Sequence, residues 1–129
     1  MAARKAPPLP LVLDSSCWLE FFGDSARADL FAPAIERVEM LIVPVITVYE
    51  VVKVVNRDFG SAVARRALGM MQKGQIVDLT LPLCLDAVLN GLPLADSLIL
   101  ATARAHGAQL WTQAAHFEHL ENVRFFPKT

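Results

Sequence analysis

Cysteine, tyrosine and histidine are scarce in this 129-residue chain, with two, one and three copies. Cys17 and Cys84 lie far apart in apolar surroundings. That spacing excludes a paired metal or redox motif and suits small buried hydrophobes in a reducing compartment, which places the chain in the cytoplasm. His106, His116 and His119 lack companions at zinc-site spacing. An excess of charge of one sign is missing too. Twelve Lys and Arg stand against thirteen Asp and Glu, for a net charge of −1. The chain as a whole has no electrostatic pull on nucleic acid, so any such contact needs a local cluster. No GxxxxGK[ST], GxGxxG or GxSxG stretch occurs, which removes the common nucleotide-binding and serine-hydrolase motifs. Long apolar runs are lacking as well. The longest candidate, Met40–Tyr49, is broken by Pro44 and falls short of the roughly 20 residues of a membrane span. Arg4 and Lys5 are followed by Pro7, Pro8 and Pro10 where a secretory signal needs an apolar core, so no such signal is expected.

What the chain does have is apolar content, at 54% hydrophobic residues. Its length fits one domain, able to bury roughly two-thirds of its unfolded surface without disulfide or metal staples. We read residues 1–8 as a loose tail and 9–129 as the domain. Leu9–Asp14 reads as a buried strand, and Ser15 or Ser16 can cap the helix that follows, up to Gly23. A second helix starts at Asp24 or Ser25 and runs to about Arg37, with Pro33 a break or kink. Met40–Val43 is a strand. Pro44 opens a helix to about Arg57, and Ser61 one that ends at Gly74. Ile76–Leu79 is a strand and Leu81–Gly91 a short helix. Pro93 opens an apolar helix stopped by Gly107, Gln109–Thr112 is a strand, and Val123–Phe126 an edge strand. Short apolar strands alternating with helices give an α/β fold, a mostly parallel sheet covered on both faces. Ligands in such sheets collect beyond the carboxyl ends of the strands, where Asp14 and Thr112 fall.

Three acids stand out. Asp14 follows a buried strand, and satisfying local backbone N–H groups there would be reason enough for it. Glu50 lies in the apolar stretch TVYEVV. Thr47 three residues earlier allows a capping box, but the start at Pro44 puts Glu50 inside the helix, where an acid needs a partner. Asp96 sits in the first turn of the helix behind Pro93, where an acid favours the helix dipole. That helix is apolar almost all round, so Asp96 is no ordinary solvated charge. Three carboxylates from separate elements repel one another unless a hard cation neutralises them. Mg²⁺ held by a few carboxylates and waters leaves room for substrate phosphate oxygens. An aspartyl-phosphate enzyme centred on Asp14 is a weaker alternative, since Ser16 stands where a second Asp would be needed.

These residues carry a resemblance. VLDSS at 12–16, PVITVYEV at 44–51, LPLADSLILATARAHGAQLWT at 92–112 and HFEHLENVRFF at 116–126 resemble, in order, the PIN-domain ribonucleases. The chain is most similar to the VapC-like toxins of type II toxin–antitoxin pairs. The resemblance implies a three-layer α/β/α sandwich and an endoribonuclease dependent on Mg²⁺ or Mn²⁺. It also implies an RNA substrate, a cognate antitoxin and a homodimer, with no membrane. Asp14, Glu50 and Asp96 match the metal-binding catalytic acids, and Thr112 the supporting hydroxyl. The sequence departs from the pattern at Ala114, where relatives carry a further Asp, and has His116 where a second acid is often found. Loss of that carboxylate should weaken metal binding and reduce or abolish turnover. An inactive PIN-fold module that binds an antitoxin is therefore the alternative, with Trp18, Phe21 and Phe22 serving its surfaces. Leu81–Gly91 is shorter than its counterpart in relatives, which puts a helix there in question. Arg57, Arg65, Arg66 and Arg104 are candidates for phosphate contacts.

Overall fold

Parallel pairing organises the sheet in the computed structural model, which describes residues 10–128. The tail read over residues 1–8, and the start of the first strand at Leu9, lie outside the described residues. The strands are β1 (Leu11–Leu13), β2 (Ile42–Pro44), β3 (Gln75–Val77), β4 (Gln109–Thr112) and β5 (Val123–Phe125). β1 pairs with β4 and β4 with β5, while β2 pairs with β3, all parallel. A parallel bridge from Leu11 to Leu41 joins the two groups, so the order is β3-β2-β1-β4-β5. β5 takes the edge, as its sequence suggested.

Successive strand residues point to opposite faces, and both faces are buried. Leu11, Leu13, Val43, Ile76 and Trp111 pack into one core, whereas Val12, Ile42 and Leu110 pack into another. The first core is closed by α1 (Ser15–Phe22), α2 (Ala28–Ile35), α3 (Val45–Phe59) and α4 (Ser61–Met71). They contribute Trp18, Phe31, Val51, Ala67 and Met71. The second is closed by α6 (Leu94–Ala105), through Ile99, Leu100 and Ala103, with α5 (Leu81–Val88) packed beside it through Leu83 and Ala87. The result is the three-layer α/β/α sandwich.

Several boundaries move for local reasons. Asp24 adopts a left-handed φ of 49°, so the chain turns after α1 and α2 starts only at Ala28. Pro33 lies inside α2, which ends two residues later at Ile35 instead of reaching Arg37. A 3-10 turn over Val38–Met40 delays β2 to Ile42. α4 stops at Met71, and β3 starts at Gln75 and ends at Val77 instead of Leu79. The short segment before α6 does form a helix, with Thr80 as its cap. Trp18 is a correction. It is 1% exposed inside the first core and serves no surface, while Phe21 and Phe22 pack partly buried against that core.

Gly74 sits where the chain enters β3. A Cβ there would meet Val43 Cγ2 at 2.9 Å and the Val38 carbonyl oxygen at 3.1 Å. Gly74→Ala should therefore destabilise the fold by about 1–3 kcal/mol through overpacking, read as a lowered urea midpoint. An unchanged midpoint would mean that this contact relaxes freely.

Candidate active site

β1 and β4 are neighbours although the intervening strands lie on the far side of β1, so the strand order reverses between them. A crevice opens beyond the carboxyl ends of strands at such a point. Asp14 and Thr112 stand there.

Asp14 follows β1 directly, and its N–H donates to the Trp111 carbonyl at 3.0 Å. Its side chain, not that of Ser15 or Ser16, caps α1. Oδ1 accepts from the Cys17 N–H at 3.2 Å and the Ser16 hydroxyl at 2.6 Å. Oδ2 accepts from the Thr112 hydroxyl, and the residue is only 4% exposed. Because the aspartate caps, both serine hydroxyls are available to carboxylates: Ser15 donates to Glu50 Oε1. The reading of Asp14 as a satisfier of turn N–H groups is met by its bond from the Cys17 N–H.

α3 begins at Val45 behind Pro44, so Glu50 lies inside the helix and the capping-box alternative does not apply. Glu50 is half-buried at the cleft rim, with Ser15 as its partner. Asp96 occupies the first turn of α6, with its side chain 25% exposed. His116 Nε2 lies 2.6 Å from Asp96 Oδ2. Burial pushes the Asp96 carboxyl up; His116 pulls it down and the Asp14 charge adds to the rise, leaving it above the usual carboxylate range. Thr112 is fully buried and fixes the following turn, because its oxygen also accepts the Ala114 N–H at 3.0 Å.

These elements enclose a cleft of about 210 Å³. Asp14, Glu50, Asp96 and Ala114 all line it, with Ser15 and Ser16 between them. Thr112 and His116 reach it through the carboxylates they hold. Three openings elsewhere are larger, at about 400, 490 and 370 Å³; the first two hold no acid and the third a single one, Asp86. Chemistry, not size, marks the smaller cleft. The expected arginines are a correction: Arg57, Arg65, Arg66 and Arg104 do not line it. Arg57 pairs with Asp58 at 2.8 Å and Arg104 bonds Asn90 at 3.1 Å. Gln113 and Lys128 line it instead, and nothing in their sequence context singles them out.

The donors are hard oxygens, suited to Mg²⁺ or Mn²⁺. Among the described residues no three Asp, Glu, His or Cys side chains gather closely enough to hold one ion directly. Glu50 Oε2 and Asp96 Oδ1 make no hydrogen bond among the described residues. The set fits a cation that keeps much of its water and is reached by a few carboxylates, the habit of Mg²⁺, rather than a closed protein cage.

A parallel α/β/α sandwich with an acidic cleft at its strand-order reversal is the architecture of one class of metal-dependent nucleases. The chain belongs to the PIN-domain family, whose family model matches residues 11–122. Members of that family are nucleases that generally use divalent metal ions. The fold is similar to that of a toxin–antitoxin complex from Klebsiella pneumoniae, with a TM-score of 0.76 at 20% identity over 92% of this chain and 99% of that one. VapC20 of Mycobacterium tuberculosis, a sarcin–ricin loop cleaving toxin, matches with a TM-score of 0.67 at 17% identity over 84% and 91%. VapBC2 from Rickettsia felis, bound to a promoter DNA fragment, gives 0.67 at 16% identity over 91% and 97%. No curated protein matches the chain by sequence.

Proposed function

We propose that this chain is the toxin of a toxin–antitoxin pair, an endoribonuclease whose Asp14, Glu50 and Asp96 hold Mg²⁺ or Mn²⁺. The observation that carries this reading is the meeting of three carboxylates from β1, α3 and α6 in one cleft at the strand-order reversal. A divalent ion held there supplies a water of lowered pKa and charge stabilisation at the phosphate. The chain's part is orientation. Thr112, Ser16 and the Cys17 N–H fix both oxygens of Asp14; Ser15 fixes Glu50 and His116 fixes Asp96. Groups held this way lose little freedom when substrate arrives. The test is cleavage of RNA in Mg²⁺ or Mn²⁺ by the natural sequence and by Ala114→Asp. If neither cuts while both are folded, the nuclease reading fails.

Partners follow from exposed apolar surface. Leu81, Leu85, Val88 and Leu89 are 70%, 59%, 74% and 86% exposed along α5, and Leu94 nearby is 77% exposed. Stripes of this kind mark interfaces, and we assign this one to a second copy of the chain. Leu85→Glu is expected to convert a dimer to a monomer in light scattering without loss of fold; a dimer that survives sinks the assignment. The antitoxin is assigned to the groove between α3 and α4, lined by Val48, Val52, Ala64 and Leu68 with Lys53 and Arg65 beside them. No helix among the described residues is long and apolar enough to cross a membrane, and we place the protein in the cytoplasm.

Ala114 favours a second reading, a non-catalytic module that keeps the fold and its partner surfaces. Calorimetry separates the two. Metal uptake lost in Asp14→Asn supports the enzyme, and antitoxin binding without metal uptake supports the module.

A further inference from the structure

Besides the carboxylates, the cleft is lined by Gln113 and Lys128. Gln113 is 6% exposed, and its Nε2 has no hydrogen-bond partner among the described residues. A buried amide donor left without a partner costs about 1–3 kcal/mol, which a bound acceptor would return. Its other end is fixed, since Oε1 accepts from Arg27 Nε. The same guanidinium donates to the Phe126 carbonyl at 3.2 Å, and the Phe126 N–H donates to the Thr112 carbonyl at 2.8 Å. The segment that ends in Lys128 is thus tied to the end of β4 on one side and to Arg27 on the other. Glu20 lies next to this group, 3.8 Å from Arg27. Burial pushes the Glu20 carboxyl up, but a donor from Ser25 and the charges of Lys128 and Arg27 hold it below the usual range.

We propose that Lys128 and Gln113 are the phosphate-holding donors of this cleft, receiving the nonbridging oxygens of an RNA phosphodiester. Arg27 is a positioning residue: it sets the amide and carries the segment from which Lys128 reaches in. The Glu20 charge acts on Lys128 and competes with the phosphate for it. The charges decide the class of ligand. The lining combines Asp14, Glu50 and Asp96 with a cation and a neutral donor. The acids suit a hydrated cation, and the donors suit the anion that bridges to it. This inference rests on the ribonuclease reading.

The test is binding of a short, labelled single-stranded RNA to the full chain in Mg²⁺, read by anisotropy at the mixing time across a salt series. Lys128→Ala should weaken binding about fivefold and reduce the salt slope by roughly 0.7, the loss of one phosphate contact on a single strand. Lys128→Arg should restore both. Gln113→Leu should weaken binding and leave the slope unchanged, because it removes an uncharged donor. Glu20→Gln should tighten binding, the opposite sign. A Lys128–Glu20 pair with only a structural role would instead lower the melting temperature in both variants and leave RNA affinity alone. That result, with the natural chain binding RNA, overturns the phosphate-holding role and leaves the nuclease reading standing. No RNA binding by the natural chain overturns the reading itself. Lys128 is exposed near the end of the chain, so its variants keep the fold and decide the matter even if Gln113→Leu does not.

Discussion

Ala114→Asp is expected to raise divalent-metal affinity by about 10- to 100-fold, the usual worth of a carboxylate acting on a metal site from its outer shell. RNA cleavage should rise with it. The position is ready for the change. Ala114 lines the cleft and stands at the N-cap of the 3-10 turn Ala115–Phe117, in extended backbone at φ −87°, with no side-chain cap. Aspartate is among the best residues at such a position, so the substitution adds a capping acceptor as well as a cleft carboxylate. The neighbouring histidine does not compete, because its Nε2 is already engaged by Asp96. Manganese titration by calorimetry and a ribonuclease assay read the two effects. A folded variant with unchanged metal affinity would show that Ala114 is not what limits this site.

Asp14→Asn, made in the Ala114→Asp chain, should remove metal binding and lower cleavage by at least about 100-fold. Lewis-acid stabilisation is worth several kcal/mol, and each 1.4 is about a factor of ten. Stability should fall less than in the alanine variant. Asparagine caps a helix as well as aspartate does, and the amide still offers an oxygen to the Cys17 N–H, although its NH2 cannot accept the Thr112 hydroxyl. Asp14→Ala is the contrast. It loses the cap, worth about 1 kcal/mol, and strands the Thr112 hydroxyl, which is fully buried and donates to Asp14. That orphan adds about 1–3 kcal/mol. Urea unfolding and activity therefore separate: both variants lose cleavage, and alanine, which loses the cap as well, loses more stability. An Asp14→Asn chain that cleaves like its parent would remove Asp14 from the site.

The elements were readable where periodicity and punctuation agree. The strand Gln109–Thr112 occurs with the bounds its sequence suggested, and α6 fills the apolar stretch between Pro93 and Gly107. Boundaries set by a single backbone angle were not readable. The left-handed Asp24 ended one helix and delayed the next, while the sequence offered Asp24 and Ser25 as ordinary caps. Capping misled in the same way at the site. Asp14, Ser15 and Ser16 are all good caps, and which one serves depends on where β1 lets go of Trp111. Once Asp14 takes that place, the serines become carboxylate donors, a role no local pattern announces. The arginines do not line the cleft for a related reason: an exposed cation on a helix says nothing about which opening it faces.

The sequence by itself determined the alternation of strands and helices, the two-sided burial of the sheet and the identity of three acids that do not behave as surface charges. It determined Ala114 as well. Those are properties of neighbouring residues, written in spacing and composition. Only the tertiary structure decided that Asp14, Glu50 and Asp96 share one cleft, and that Lys128 lines it with them. Their separation along the chain carries no distance information. Parallel pairing of β1 with β4, with β2 and β3 on the other side, brings the ends of distant segments to one crevice.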